Sequence, residues 1–103
     1  MITWQRTADI HDGKLQETFA WAVKVTKYVN QKFPGVNLYT ARNVDGPVYQ
    51  IHWFATHESL AAYEKQRKQL ESDEGYGRLL AEIREQGHLI GASVVDVLYE
   101  KIA

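Results

Sequence analysis

The most constraining feature of this chain is the order in which its hydrophobic period changes. Ile2, Trp4, Ala8 and Ile10 alternate with Thr3, Gln5, Thr7 and Asp9, a period of two that predicts a half-buried strand ended by His11-Asp12-Gly13. From Lys14 the apolar residues recur at steps of three and four, through Leu15, Phe19, Ala22, Thr26, Val29 and Phe33. That stripe predicts a helix, stopped by Pro34-Gly35. Trp21, Val25 and Tyr28 form a second stripe on it. One sheet face cannot cover both, so the second packs on another helix of the same subunit, meets a second subunit or forms a binding patch.

The period returns to two in Val36 to Asn43 and Val48 to Ala55, joined by Val44-Asp45-Gly46-Pro47. Asp-Gly between alternating runs is a strong hairpin signal, and proline is tolerable where a strand begins. A loop of two or four residues sets Ala41 opposite Gln50, Tyr39 opposite His52 and Asn37 opposite Phe54. A second helical region starts near Thr56 or Ser59 and runs through Leu60, Tyr63, Arg67 and Leu70. It bends at Ser72-Asp73-Glu74-Gly75 and continues with Tyr76, Leu79, Leu80 and Ile83. A last strand is predicted from about Ala92 to Ile102, with Val95, Val97 and Tyr99 on one side and Val94, Asp96 and Leu98 on the other.

This order is the ferredoxin-like, split β-α-β-β-α-β plan: an α+β fold whose helices share one face of a four-stranded antiparallel sheet. The length of 103 residues suits a single domain spanning 1–103. With 45% apolar and 24% charged residues, the composition is that of a folded globular chain. Twelve basic and thirteen acidic residues are interleaved, so no basic stripe is available for a nucleic-acid backbone. The absence of cysteine excludes disulfides and thiolate chemistry. No apolar run reaches the roughly 20 residues of a membrane span. No signal peptide is expected at Met1-Ile2-Thr3-Trp4-Gln5-Arg6, which makes a cytoplasmic location the default expectation. The His spacings match no metal motif, so neither metal nor cofactor is expected.

With Ile51, Trp53, Val95 and Val97 under the helices, the other sheet face would carry Thr3, Gln5, Thr7, Asn37, Tyr39, Gln50, His52, Phe54, Val94, Asp96 and Leu98. Such a face is too apolar for solvent, and a second copy packed across a two-fold axis would cover it. A homodimer is therefore expected, with its polar centre as the candidate site. In that centre His52 would act as base, Asp96 as its orienting partner or a second acid, and Tyr39, Gln50, Asn37 and Gln5 as ligand positioners. The competing reading is that His52 and Tyr39 form a hydrogen-bonded interface pair.

The run Trp53-Phe54-Ala55-Thr56-His57-Glu58-Ser59-Leu60-Ala61-Ala62-Tyr63-Glu64, followed by Ser72-Asp73-Glu74, resembles the dimeric α+β barrel superfamily. The nearest branches are the NIPSNAP-like and antibiotic-biosynthesis-monooxygenase-like families, where an aromatic strand end leads into a Ser-Leu-x-x-Tyr helix. The resemblance implies the same fold and a dimer. Its functional implication is broad, because the superfamily includes cofactor-free oxygenases, haem-degrading enzymes, isomerases and members of no known activity. The Asn-Trp-His set of the haem-degrading branch does not align onto Asn37, Trp53 or His57. The expectation is thus a small-organic-molecule pocket serving proton transfer or cofactor-independent oxidation of an aromatic or carbonyl compound. The alternative is a non-catalytic dimeric assembly module.

Overall fold

A computed structural model describes residues 1–103. The elements are β1 (Ile2–Asp9), α1 (Leu15–Lys32), β2 (Tyr39–Arg42), β3 (Gln50–His57), α2 (Leu60–Glu71), α3 (Glu74–Gln86) and β4 (Val95–Glu100). They follow the β-α-β-β-α-β order with the second helix divided in two. All pairings are antiparallel and the sheet order is β2-β3-β1-β4, which leaves β2 and β4 at the edges.

Local chemistry sets the helix ends. The Ser59 side chain accepts from Ala62 N–H at the start of α2, and Asp73 accepts from Tyr76 N–H at the start of α3. These caps satisfy backbone donors that a helix start leaves without partners. Gly87 ends α3 in the left-handed conformation, at φ 64°. The break between α2 and α3 is held from α1. Asp73 takes hydrogen bonds from the Tyr28 hydroxyl at 2.5 Å and from Lys32 Nζ at 3.0 Å. Tyr28 also lies so close to Gly75 that a side chain there would collide with its phenol.

The core joins one phase of β1 and β3 to the helices: Ala8, Ile10, Ile51, Trp53 and Ala55 meet Trp21, Ala22, Val25, Val29, Leu79 and Ile83. Each aliphatic side chain buried this way contributes roughly 1.5–3 kcal/mol. The second stripe of α1 packs within the same chain. Trp21 donates Nε1–H to the Leu79 carbonyl at 2.9 Å, Val25 is buried, and Tyr28 reaches Asp73. Leu15, Phe19 and Phe33, expected as members of the first core stripe, are only partly buried against the core.

Two strand expectations are corrected. In the hairpin, Ala41 pairs with His52, and Tyr39 with Phe54, two residues away from the short-loop register. Pro47 has no N–H for a ladder, and the Asn43 amide ties the loop by donating to Pro47 O and to Gln50 Oε1. The hairpin ladder therefore starts at the Arg42–Ile51 pair. A slip of two leaves every side chain on its expected face. In β4 the faces are exchanged: Asp96 and Leu98 pair with Arg6 and Trp4 on the helix side, and Val95, Val97 and Tyr99 occupy the open side. Val94 to Tyr99 is apolar in both phases apart from Asp96, so alternation sets no phase. A 3₁₀ turn at Gly91–Ser93 sets it, with Ser93 Oγ accepting from Asp9 N–H at 2.8 Å.

Candidate functional site

On the open face, side chains from all four strand regions join in one hydrogen-bonded row. Tyr99 donates to Gln5 at 3.2 Å, and Gln5 donates to Thr7 Oγ1 at 3.4 Å. Thr7 Oγ1 lies 2.9 Å from His52 Nδ1, and His52 Nε2 lies 2.7 Å from Asn43 Oδ1. Gln50 accepts from Asn43 and donates to Asp9 at 3.3 Å. The Asn43 amide nitrogen is committed to Pro47 and Gln50, so Oδ1 faces His52, and His52 Nε2 must carry the proton. In neutral His52 the remaining lone pair, on Nδ1, accepts the Thr7 hydroxyl. To use that lone pair as a base, a substrate would have to displace the Thr7 hydroxyl.

Of the expected site residues, His52, Gln50 and Gln5 share this row. Tyr39 lies on the same face but stacks on Phe54, with ring centroids 5.0 Å apart. Asn37 is not in β2; it is exposed at φ 53° and its amide turns to Gly35 O. Its neighbour Leu38 is held by a reciprocal pair of hydrogen bonds with the Asn30 amide, each 2.8 Å. Asp96 lies on the opposite side of the sheet from His52, so it cannot orient that imidazole. Thr7 and Asn43 are the partners His52 has instead.

The concavity is on the helix-covered side. An inner lobe of about 280 Å³ lies between the sheet and helices α1 and α3, lined by Trp21, Val25, Trp53, Leu80 and Ile83 among others. An outer lobe of about 580 Å³ lies under α2, where His57, Tyr63, Gln66, Leu70 and Asp96 form part of the wall. Trp4, Arg6, Leu38, Tyr76 and Leu80 line both, which makes them two parts of one cleft.

Arg6 stands where the lobes meet. Its Nε and Nη2 reach Asp96 Oδ1 and Oδ2 at 2.7 and 2.9 Å, a fork of charge-assisted bonds, and its guanidinium lies 5.3 Å from the Trp4 ring centroid. The hydrogen bond to Asp96 raises the Arg6 pKa against the effect of burial. Burial opposes ionisation of Asp96, but the hydrogen bond and charge of Arg6 outweigh it and hold the carboxyl below its ordinary range. Burial pushes the Tyr76 phenol up and the His57 imidazole down, so both are neutral at neutral pH.

Two polar atoms here lack partners. Trp53 is 5% exposed and its Nε1–H meets no acceptor, although its edge-to-face neighbour Trp21 is satisfied. Gln66 Oε1, in the outer lobe, meets no donor. An unmet buried group costs roughly 1–3 kcal/mol. Arg6, Trp53, His57 and Tyr76 did not emerge from the sequence as site residues. The available signal was one charge in each of two apolar runs, Arg6 in the inward phase of the first strand and Asp96 in the last.

No family model matches the chain, and no curated protein matches it in sequence. Solved structures do match. An uncharacterised NIPSNAP domain protein from Burkholderia xenovorans superposes with a TM-score of 0.81 at 16% identity, over 100% of this chain and 96% of that one. A NIPSNAP family protein from Agrobacterium tumefaciens gives 0.77 at 20% identity, over 96% and 90%. SnoaB, a cofactor-independent oxygenase from Streptomyces nogalater, gives 0.71 at 12% identity in a mutant form, over 99% and 93%. The chain has the fold of the NIPSNAP and antibiotic biosynthesis monooxygenase structures. These identities carry the architecture and no activity. No helix is long and apolar enough to cross a membrane.

Proposed function

We propose that this chain binds a small, mostly apolar organic molecule in the cleft between helices and sheet, rather than on the open sheet face. The observation that carries this reading is a concave cleft walled by the rings of Trp4, Trp21, Trp53 and Tyr76 and opening to the Arg6–Asp96 pair. As an enzyme, the chain would use neutral His57 as proton acceptor in the outer lobe, with Tyr76 and Arg6 placed to stabilise an enolate or phenolate. By analogy of fold alone with a cofactor-independent oxygenase, the deprotonated substrate would then react with dioxygen. One oxygen atom would then form a carbonyl at the substrate's CH2 carbon and the other would leave as water. The test is titration of the protein with two-ring aromatic carbonyl compounds, followed by tryptophan fluorescence. Saturable quenching that Trp53→Phe weakens supports the reading, and its absence across such compounds rejects it.

A second copy is proposed to cover the open face. Tyr39, Val95 and Tyr99 are 56%, 55% and 51% exposed there and flank the closed polar row, a combination poorly suited to water. This also keeps the non-catalytic reading open, in which the dimer is itself the function. Sedimentation at micromolar concentration tests it, with a monomer mass as the contrary result. Substitution separates the two readings, since His52→Ala and Tyr39→Phe should weaken the dimer and leave ligand binding intact.

A further inference from the structure

The lining of the inner lobe is one-sided in its chemistry. Its hydrogen-bonding side chains are Arg6, Arg84, Tyr76 and the indoles of Trp4, Trp21 and Trp53; no carboxylate and no carboxamide is among them. Arg6 is neutralised by Asp96, which belongs to the outer lobe. Arg84 forms no ion pair. The inner lobe is thus a mostly apolar chamber with an uncompensated guanidinium, and without a carboxylate or amide acceptor. Its place in the last turn of α3 gives Arg84 a favourable interaction with the helix dipole, but that does not complete the planar fork of donors it presents.

We infer that the inner lobe is a subsite for an aromatic carboxylate, held as its anion by Arg84. This rests on the reading of the cleft as a binding site and specifies the charge of its occupant. A guanidinium matches the two oxygens of a carboxylate. The rings would lie against Trp21, Val25, Leu80 and Ile83. The volume of about 280 Å³ is near the lower bound of roughly 300 Å³ for ligand pockets, which limits the body to one or two fused rings.

The experiment uses 2-naphthoate and its neutral isostere 2-naphthamide, titrated calorimetrically into the full chain and into Arg84→Met, which keeps the apolar stem. Wild type should bind the carboxylate about tenfold or more tighter than the amide, and Arg84→Met should bring the two together. Equal affinities in wild type would overturn the carboxylate assignment and leave the cleft standing as a neutral-ligand site. A preference that survives in Arg84→Met would remove Arg84 from the subsite and overturn the inference as stated. Binding of neither compound would reject the cleft as a site for two-ring aromatics, and this subsite with it.

Discussion

On the open face of the sheet, polar side chains from Tyr99 to Asp9 end in one another, whereas on the covered face Trp53 and Gln66 keep atoms with no partner. The same strands build both faces. His52 and Trp53 are consecutive residues of β3, one in a row whose hydrogen bonds are already made and one with a donor still free. A histidine draws attention in a sequence because it can titrate near neutrality. Reactivity depends instead on whether a lone pair or donor is left over after folding. By that measure the row through His52 is complete, and the unpaired donor belongs to Trp53.

The strongest way to break this comparison is to truncate adjacent residues of β3. Trp53→Ala should cost about 3–5 kcal/mol in denaturant unfolding, as expected for removing a buried aromatic. Phe54→Ala should act mainly on association, lowering the sedimenting mass while unfolding of the monomer changes far less. Similar losses for the two would mean that the faces are not different in kind. Next in size is Asp96→Ala, which leaves a half-buried guanidinium without its fork and should cost about 1–2 kcal/mol. Asp96→Ala should also change the affinity of the cleft for aromatic ligands, whereas His52→Ala should leave that affinity alone.

Acid titration sharpens the comparison further, because the helix layer is secured by a carboxylate. Hydrogen bonds from Tyr28 and from the Tyr76 N–H, with Lys32 nearby, lower the Asp73 pKa from 3.8 to about 2. The folded value lies below the unfolded one. The contribution of Asp73 is therefore complete above the ordinary carboxylate range and is lost as pH falls through about 2. Thermal unfolding should show Asp73→Asn less stable than wild type at pH 7, with the gap closing as pH approaches 2. A constant gap would show that the charge is not what secures the break between α2 and α3. The smallest effect is expected at Val44 in the hairpin, which is fully exposed. Val44→Thr should change stability by less than about 0.5 kcal/mol.

The architecture was legible because periodicity survives averaging over several residues. The change from two to three or four located every element, and Ser72-Asp73 marked the bend that divides the second helix. Phase failed where one residue had to decide it. Val94 to Tyr99 is apolar on both sides, and its facing depends on a 3₁₀ turn that no hydrophobic pattern encodes. The hairpin slipped by two because Pro47 and the Asn43 amide delayed the ladder, a side-chain effect invisible to period counting. The exchange of β4 faces moved Asp96 from His52 to Arg6, and the proposed site moved with it. Arg6 was the readable clue, since a lone charge on the inward phase of a strand requires a counter-charge on the same layer.

Helix α2 has no fully buried residue, yet it roofs the outer lobe. An element held so lightly detaches at a lower free energy than the domain unfolds, and its amides should exchange with solvent ahead of those of α1. Its far end is clamped, because Asp73 is gripped by Tyr28 and Lys32 of α1. Detachment would then start at Ser59 and swing about Asp73. The residence time of a guest in the cleft would follow the clock of that helix more closely than the strength of any contact inside.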